Sequence, residues 1–506
     1  MRAHGFLALW ALLLPCSASI AQSTLAVPGT YATIQAAIAA AVNGDTVLVA
    51  PGTYAGPVNF LGKAITVRSS AGPFVTTISG GAGGRVVRFV TGEGRASVLE
   101  GFTVTGGTPT GGSDGGGVTC GSTGPTLRDC RITGNVASTN GGGFSYSDLG
   151  AGSAPPVGPL LVGCTISGNS IATPLMTIAG GGGIRCQGGL PPFFPPSFVP
   201  VEFVDCTVSG NTAFVAGGGA LCQGVTAIFR RSTIRQNSAI GTSGVDLRDS
   251  FGLFQDCVVA SNGTAGPGIL TSPNSSAATL LLNVTNSTIW GHAGGALSAA
   301  AGTSATVSNS VFWSNGASSI SGSGSIAATS SDIQGGTGQP WFGAGCIALD
   351  PMLADPAAGD FHLLFGSPCR DAGSAAAPFI STSDFEGDPR ASGPGPDMGA
   401  DEFHRHLYVT GSLTPGGAVQ LKVAGPPASP VAIFFGGGAL PTPVPTVFGN
   451  VFLAAPIFGF ALPPIPANGL LAVLATIPAS VTPPAAFYMQ ALVGVEVTNL
   501  SVANVN

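Results

Sequence analysis

Residues 205–222 read DCTVSGNTAFVAGGGALC, and this stretch decides the fold because both of its halves recur along the chain. The first half has clear copies in RDCRITGN, VGCTISGN, VDCTVSGN, RRSTIRQN and QDCVVASN. EGFTVTGG precedes these copies in the series, and weaker copies are TNSTIWGH and SNSVFWSN. A unit of about 20–50 residues that repeats with variable insertions is typical of a solenoid.

Each unit predicts two short strands. In VDCTVSGN, Cys206 and Val208 share one face while Thr207 and Ser209 share the other, which is the period of a strand with one buried face. The glycine triplets of GGGVTC, GGGFSY, GGGIRC and GGGALC introduce a second strand, and glycine permits a sharp corner before it. Because one coil cannot bury its apolar face alone, we expect stacked coils with parallel strands about 4.8 Å apart.

The first coil is predicted to be covered by a helix. In TYATIQAAIAAAVNGDTVLVAPGTY, residues 30–54, Ile34, Ala37, Ile38 and Ala41 have the i, i+3, i+4, i+7 spacing of an amphipathic helix. Such a helix would shield the open edge of the first sheet.

These features resemble the right-handed parallel β-helix of pectate-lyase-like proteins over residues 46–333. The pairing of a glycine-triplet strand with a strand that ends in asparagine is also similar to the repeats of polymorphic outer-membrane autotransporter passengers. The resemblance implies an all-β fold and does not imply one activity, because this fold carries many functions.

Composition narrows the class of protein. The chain has 506 residues, of which 44% are hydrophobic and 8% charged, with a formal net charge of −6 and no basic run. We therefore expect no nucleic-acid partner. Residues 1–21 have the basic start, short apolar run and small residues of a secretory signal peptide, and no later stretch is long enough to span a membrane.

The segment after the repeats, residues 346–404, resembles the choice-of-anchor Q region of exported bacterial proteins. The matching pieces are FHLLFGSPCRDAG, DFEGDPR and PDMGADE. The resemblance implies a secreted or cell-surface bacterial protein and implies no reaction. Six acidic residues of this segment have two candidate roles, namely binding Ca²⁺ or pairing with Arg390 and capping turns, and we favour the second. They are Asp384, Glu386, Asp388, Asp397, Asp401 and Glu402.

The last part of the chain changes character. Residues 405–506 are rich in Pro, Val and Phe, and their alternating runs are punctuated by glycine and proline, which predicts a small β-sandwich-like domain. The predicted organisation is therefore a signal peptide (1–21), a β-helix with an N-terminal capping helix (22–345), a closing segment (346–404) and this C-terminal domain (405–506).

The repeated cysteines and asparagines are predicted to be structural. Cys130, Cys164, Cys206 and Cys257 occupy a position that also accepts Phe or Ser, which indicates a core-facing file rather than a metal site, and the chain has no CxxC pair. The asparagine that ends each copy is expected to bond to its equivalents in neighbouring coils. Cys346 lies outside the files, as does Cys369, so these two are the best candidates for a disulfide.

Candidate catalytic residues concentrate in RRSTIRQNSAIGTSGVDLRDS, with Asp205 and Asp256 expected to stack nearby. The residues are Arg230, Arg235, Asp246, Arg248 and Asp249. A carboxylate beside an arginine suits proton abstraction next to a sugar carboxylate, and the resemblance to pectate lyases implies acidic and basic residues in such a role. The alternative is a row of exposed ion pairs that flank the strands.

Two insertions are predicted to project side by side from consecutive coils, at residues 147–159 and 187–200. The second carries Phe193, Phe194 and Phe198 among prolines. Either these rings stack on sugars or on a partner, or they lie back on the β-helix wall.

Together these features favour an exported, non-catalytic β-helix protein that binds polysaccharide or another cell-surface component. Its weakly charged wall would present rows of Ser, Thr and Asn, and its function would require no cofactor. The alternative is a polysaccharide lyase, hydrolase or epimerase on the same scaffold. An enzyme would need two carboxylates, or a carboxylate and an arginine, within about one sugar's reach of each other in a groove.

Overall fold

The structure is a computed structural model. It describes residues 22–81, 84–109, 115–148, 158–172, 180–189, 198–263, 266–273, 279–316, 318–390, 393–404, 407–411, 413–446, 449–481, 485–494, 496–498 and 501–505. The predicted signal peptide lies outside these residues, as do Phe193 and Phe194. In the part of the chain that is described, none of the helices has the length and hydrophobicity needed to cross a bilayer.

Three long parallel sheets form the walls of a solenoid. Sheet 1 contains Thr24–Val27, Thr46–Val49, Thr66–Ser69, Val98–Glu100, Thr126–Arg128, Leu160–Val162, Pro200–Val204, Thr226–Arg230, Phe251–Gln255, Leu280–Thr285, Thr303–Ser308 and Ser325–Thr329. Sheet 2 contains Gly52–Ala55, Thr76–Ser79, Thr103–Thr105, Arg131–Thr133, Thr165–Ser167, Thr207–Ser209, Thr233–Arg235, Val258–Ala260, Thr288–Trp290, Val311–Trp313 and Asp332–Ile333. Sheet 3 contains Val58–Asn59, Val87–Phe89, Val118–Gly121, Phe144–Ser147, Ile184–Gln187, Ala220–Gln223, Val245–Arg248, Ile269–Ser272, Leu297–Ala299 and Ile320–Ser321. A shorter pair, Val136–Ala137 with Ser170–Ile171, follows sheet 2 in two coils.

The predicted buried files run through the solenoid. Cys206 contacts Leu161 O with its thiol at 3.5 Å, and its backbone N–H donates to Ser232 Oγ of the next coil at 3.1 Å. A parallel file stacks the rings of Phe203, Phe229 and Phe254 at centroid distances of 4.8 and 5.1 Å. Equivalent residues of successive coils therefore stack on one another in the core, as the repeat predicts.

The turn from sheet 1 to sheet 2 requires a left-handed residue in every coil. Asp129, Asp205 and Asp256 adopt φ values of 51°, 54° and 54° immediately before the cysteine file, and Gly163 takes this position between them with φ 63°. Asp and Asn tolerate this conformation better than most residues. The aspartate of each DC pair is thus explained by backbone geometry.

The glycine triplets are corners, as predicted. Gly141 begins one with φ +65°, and a Cβ on the next residue, Gly142, would lie 2.5 Å from both Gly182 O and Ser170 O. The triplets of neighbouring coils stack at backbone contact, which only glycine permits.

The asparagines form the predicted ladder inside the solenoid. Asn135 Nδ2 donates to Asn169 Oδ1 at 3.0 Å, and the same bond repeats through Asn211, Asn237 and Asn262. The ladder continues beyond the clear copies, through an imidazole and a last amide. Asn262 Nδ2 lies 3.2 Å from His292 Nε2, and His292 Nδ1 lies 3.1 Å from Asn315 Oδ1. His292 is therefore neutral, with its proton on Nδ1.

Burial lowers the pKa of His292 to about 4, whereas the unfolded chain keeps an ordinary value of about 6.5. Between these values the unfolded state binds a proton that the folded state does not, so stability is full above about pH 6.5 and falls as the pH drops towards 4. We expect the contribution of His292 to fall by about 2 kcal/mol at pH 5 relative to pH 7, whereas Asp332, whose pKa burial raises to about 7, contributes more stability as the pH falls over the same range. His292→Asn should remove this loss, as measured by denaturant unfolding at both pH values; an unchanged pH dependence in the variant would refute the assignment.

The predicted helix spans Ile34–Ala40 and lies against the first strands of sheet 1. Thr33 caps it through a bond from Ala36 N to Oγ1 at 3.1 Å, and Ile34, Ala37, Ile38 and Ala41 are buried. These are the four positions that the sequence pattern assigned to its apolar face.

The closing segment, residues 346–404, folds back over the last strands of sheet 2. Its regular elements are the antiparallel strands Leu353–Asp355 and Asp360–Leu363 and the 3₁₀ turn Pro356–Ala358. Where it covers the sheet, the outward positions are apolar, as in Val258, Trp290 and Val311. Phe361 and Met398 of the segment pack on this strip.

The expected disulfide between Cys346 and Cys369 is wrong, since both are free thiols. Cys346 packs against the main core of the solenoid, whereas Cys369 is buried with Met398 outside sheet 2. There the Cys369 thiol lies 3.3 Å from Asp332 Oδ2.

The C-terminal part is a sandwich of two antiparallel sheets. One sheet comprises Leu407–Gly411, Ala418–Ala424 and Leu470–Thr476, and the other comprises Val431–Thr446, Gly449–Leu462, Ala485–Val493, Glu496–Val497 and Ser501–Val505. Leu407 and Val423 of the first share a buried cluster with Ile433 and Met489 of the second. The all-β prediction therefore holds for this region as well.

Candidate functional site

The corner between sheets 3 and 1 is the place where the sequence candidates come together. Three consecutive strands of sheet 3 end at Gln187, Gln223 and Arg248, which are in register. The chain then turns into sheet 1, and Phe251 begins its strand there. We call the half-buried surface formed by these ends and by Phe198 the corner site.

Arg185 anchors the amides of the corner site. Its Nη2 donates to Gln187 Oε1 and to Gln223 Oε1, each at 3.0 Å. Because the guanidinium is buried and fixed by two acceptors, both amide groups keep a defined orientation towards solvent. Sequence reasoning missed Arg185. The signal for it was an arginine at an outward position of sheet 3, where the paired residues of the two neighbouring strands are Ser145 and Leu221.

Asp246 and Arg248, both predicted site residues, form an ion pair in the corner site. Arg248 Nη2 and Nε donate to Asp246 Oδ2 at 2.9 and 3.2 Å. Burial raises the pKa of Asp246, and the Arg248 charge partly offsets this effect. Asp246 Oδ1 is buried and has no hydrogen-bond partner among the described residues. Asp249 lies at the same turn, buried, with φ 45°.

Phe198 stacks on Phe251, with ring centroids 4.4 Å apart and planes at 19°. Its backbone N–H donates to Gly224 O at 3.0 Å, so the end of the insertion is bonded to the next coil. Both rings are half-buried. Phe193 and Phe194 lie outside the described residues, and their role stays a prediction.

The two insertions do leave the solenoid as neighbours. Ser147 and Gln187, the last strand residues before each insertion, are paired in register, and Leu160 pairs with Glu202 after them. The described ends of both insertions thus lie beside the corner site.

Arg230 and Arg235, the other two catalytic candidates, lie on other sheets. Arg230 ends a strand of sheet 1, where its Nη1 pairs with Glu202 Oε2 at 2.9 Å and its Nε donates to Gln255 at 3.1 Å. Arg235 ends a strand of sheet 2 beside Gly359 of the closing segment. The structure therefore brings together three of the five candidates, and the catalytic role of all five stays a prediction.

The outer wall carries hydroxyls rather than amides. Thr103, Thr165, Thr207 and Thr233 face outward from strands of sheet 2 and are half-buried, with Arg131 in register between the first two. The expectation that asparagines also line the wall is wrong, because their side chains form the internal ladder and are buried.

The acidic residues of the closing segment cap turns. Asp384 Oδ1 accepts backbone N–H bonds from Glu386, Gly387 and Asp388 at 2.8 to 2.9 Å, and Asp397 accepts from two further N–H groups. Among the described residues, no group of three or more His, Cys, Asp and Glu side chains is arranged to hold a metal ion.

A second cluster of charges joins the closing segment to the C-terminal sandwich. His362 lies between Asp360 Oδ1 at 2.6 Å and Glu386 Oε2 at 2.8 Å, and Lys422 Nζ reaches Asp360 Oδ2 at 2.6 Å. Tyr408 stacks on the imidazole at 4.1 Å. Burial opposes the charge on His362, but the two carboxylates hold its pKa well above its usual value. The cluster links the closing segment to the C-terminal sandwich through hydrogen bonds and ion pairs.

Comparison with known proteins agrees with the three-sheet geometry. Residues 116–312 match the family model described as right handed beta helix region. The fold is a right-handed parallel β-helix. The matched part covers the strands of the corner site, from sheet 3 through Arg248 to Phe251.

Solved structures with a similar fold include the following proteins. Pectate lyase Pel9A is 16% identical, with 76% of this chain and 97% of that chain covered and a TM-score of 0.41. The A-module of mannuronan C-5 epimerase AlgE4 from Azotobacter vinelandii is 15% identical, with coverages of 58% and 92% and a TM-score of 0.25. The enzymatically active domain of tailspike protein 4 of bacteriophage CBA120 is 12% identical, with coverages of 91% and 64% and a TM-score of 0.29. No curated protein matches the sequence significantly.

Proposed function

We propose that this chain is an exported or cell-surface protein that binds polysaccharide at the corner site without converting it. The observation that carries the proposal is the stack of Phe198 on Phe251, at the corner where Gln223 and Arg248 end their strands. Aromatic faces accept the apolar face of a sugar ring, and amide and guanidinium groups bind its hydroxyls.

Phe251→Ala should weaken polysaccharide binding about tenfold, because it removes one ring and frees the other from its stack. Phe198→Ala should have a similar effect. The measurement is the dissociation constant of the purified protein for the polysaccharides that a screen of neutral and acidic glycans identifies. Phe379→Ala, which removes an exposed ring of the closing segment, is the matched control and should leave binding unchanged.

The proposal fails if the protein binds none of the polysaccharides, or if both phenylalanine variants bind as well as the parent protein. Retention on a ligand of another chemical class would also overturn it.

One observation favours an enzyme as the second candidate. Asp246 combines a buried, unbonded carboxylate oxygen with a raised pKa and a neighbouring arginine, which suits a general acid or base. Release of unsaturated or reducing ends from a bound polysaccharide would establish turnover. Turnover that Asp246→Asn abolishes while binding persists would replace the non-catalytic proposal with this one.

A further inference from the structure

The C-terminal sandwich contains a cavity that its own side chains leave unfilled. The two sheets pack closely at one end, around Leu407 and Ile433, but leave a space of about 200 Å³, partly open to solvent, at the other. Its walls include Val409, Leu421 and Ala475 of the three-stranded sheet, with Phe435, Phe487 and Met489 of the five-stranded sheet. An engineered apolar cavity of about 150 Å³ stays dry and binds benzene, so this space is large enough for a hydrocarbon group.

The walls define the chemistry of the occupant. Of the described residues that line the cavity, Thr476 alone has a polar side chain. A peptide segment entering here would bring backbone N–H and C=O groups that find almost no partners, at a cost of several kcal/mol. A hydrocarbon chain brings no such groups, so the lining favours an aliphatic occupant.

The apolar surface continues from the cavity onto the edge of the sandwich. Phe458 is paired directly with Phe435, so the two rings lie on the same face of the sheet. Phe460 meets Phe435 edge to face at 6.1 Å. Phe458 and Phe460 are 62% and 60% exposed because the three-stranded sheet does not extend over this edge strand. Exposed apolar surface of this kind marks an interaction site.

The charge distribution of the same region offers a ligand no ionic partner. Between Lys422 and Glu496 the sequence has no Asp, Glu, Lys, Arg or His. The cavity and its rim therefore offer neither ion pairs nor charge complementarity. A ligand would be held here by shape complementarity and by the burial of apolar surface.

We propose that this cavity and its rim bind one alkyl chain, with the chain's end in the cavity and the remainder along Phe458 and Phe460. The site is independent of the polysaccharide-binding proposal. Its ligand is the hydrocarbon part of an amphiphile, and a free fatty acid and a membrane lipid share that chemistry.

The test uses the full chain, a fluorescent dodecyl-chain fatty acid below its micelle concentration, and phosphatidylcholine vesicles. Ala475→Leu should raise the dissociation constant of the fatty acid at least about tenfold, because the larger side chain occupies the cavity. The double variant Phe458→Ser/Phe460→Ser changes only exposed rings and should weaken binding about threefold to tenfold without loss of folding. Leu474→Ser, at a 74% exposed position on the other face of the neighbouring sheet, is the matched control and should leave binding unchanged.

Binding of the soluble probe alone identifies a free amphiphile as the source of the alkyl chain. Cosedimentation with vesicles identifies a membrane lipid as the source. Either result supports the site if Ala475→Leu reduces the binding. Absence of binding to either, or equal binding by the parent protein and by both cavity and rim variants, overturns the proposal. Self-association that the rim variant abolishes, without probe binding, would assign the surface to a second copy of the chain and also overturn it.

Discussion

Asn211→Ala is expected to lower the free energy of unfolding by about 3–6 kcal/mol. The side chain is buried and makes four hydrogen bonds of 2.9 to 3.0 Å: Nδ2 donates to Ile166 O and to Asn237 Oδ1, while Oδ1 accepts from both nitrogens of Asn169. Alanine leaves the backbone N–H of Asn169 without this acceptor and removes one bond each from Ile166 O, Asn169 Nδ2 and Asn237 Oδ1, of which the last two keep a second partner. Equilibrium denaturation by urea, followed by circular dichroism, measures the change.

A nearly isosteric variant separates hydrogen bonding from packing. Asn211→Asp keeps the volume and the acceptor that serves Asn169, but it replaces the donor by an oxygen facing Ile166 O and Asn237 Oδ1. It should therefore destabilise the protein at pH 7 at least as much as alanine does. Thr207→Ala, at an outward position of the same coil, should cost about 1 kcal/mol or less. If Asn211→Asp is tolerated within about 1 kcal/mol, the ladder does not stabilise the solenoid.

The sequence predicts the inside of the solenoid well because every coil repeats the same geometry. Cys206 and Asn211 each belong to a file of equivalent residues. Within each file, the residues of successive coils are buried and bond to equivalent groups. The continuation of the ladder through His292 is less visible in the sequence, because the weaker copy TNSTIWGH ends in histidine where the clear copies end in asparagine. An imidazole with one donor and one acceptor can occupy an amide position, which is why the substitution is tolerated.

The outside of the solenoid is harder to predict because it depends on long-range packing. The closing segment was expected after the repeats, but its position on sheet 2 was not. A signal did exist: outward positions that hold Ser167 and Ser209 in the middle coils become Trp290 and Trp313 in the last ones. A tryptophan on the outer face of a polar wall indicates that another part of the chain covers it.

The candidate site was predicted only in part for a related reason. Asp246 and Arg248 are two residues apart on one strand, so their proximity follows from the period of the strand. The stack of Phe198 on Phe251 joins residues of an irregular insertion and a later coil, and no local pattern connects them. Sequence distance groups Arg230 with Asp246 and Arg248, but Arg230 lies at the end of its sheet 1 strand that is away from Phe251.

Outside the core, the largest loss of stability is expected when the ion pair that holds the closing segment on the solenoid is broken. Arg390 Nη2 and Nε donate to Asp256 Oδ1 at 2.8 and 3.1 Å, and both side chains are almost completely buried. Burial raises the pKa of Asp256, and the Arg390 charge opposes this effect. Arg390→Met should cost about 3–5 kcal/mol, because it leaves an unpaired buried carboxylate. Urea denaturation measures the loss, and faster proteolysis within the closing segment locates it.

The solenoid supplies its own control for this prediction. Asp205 occupies the same turn position as Asp256 and makes two bonds to Arg231, at 2.7 and 3.0 Å, but this pair is exposed to solvent. Arg231→Met should therefore cost no more than about 1 kcal/mol. The double variant Asp256→Asn/Arg390→Met removes both buried charges, keeps a residue that tolerates the φ of 54° at this turn, and should recover most of the stability lost in the single variant. Equal costs for the buried and exposed pairs, or no recovery in the double variant, would show that desolvation of Asp256 is not what makes Arg390 necessary.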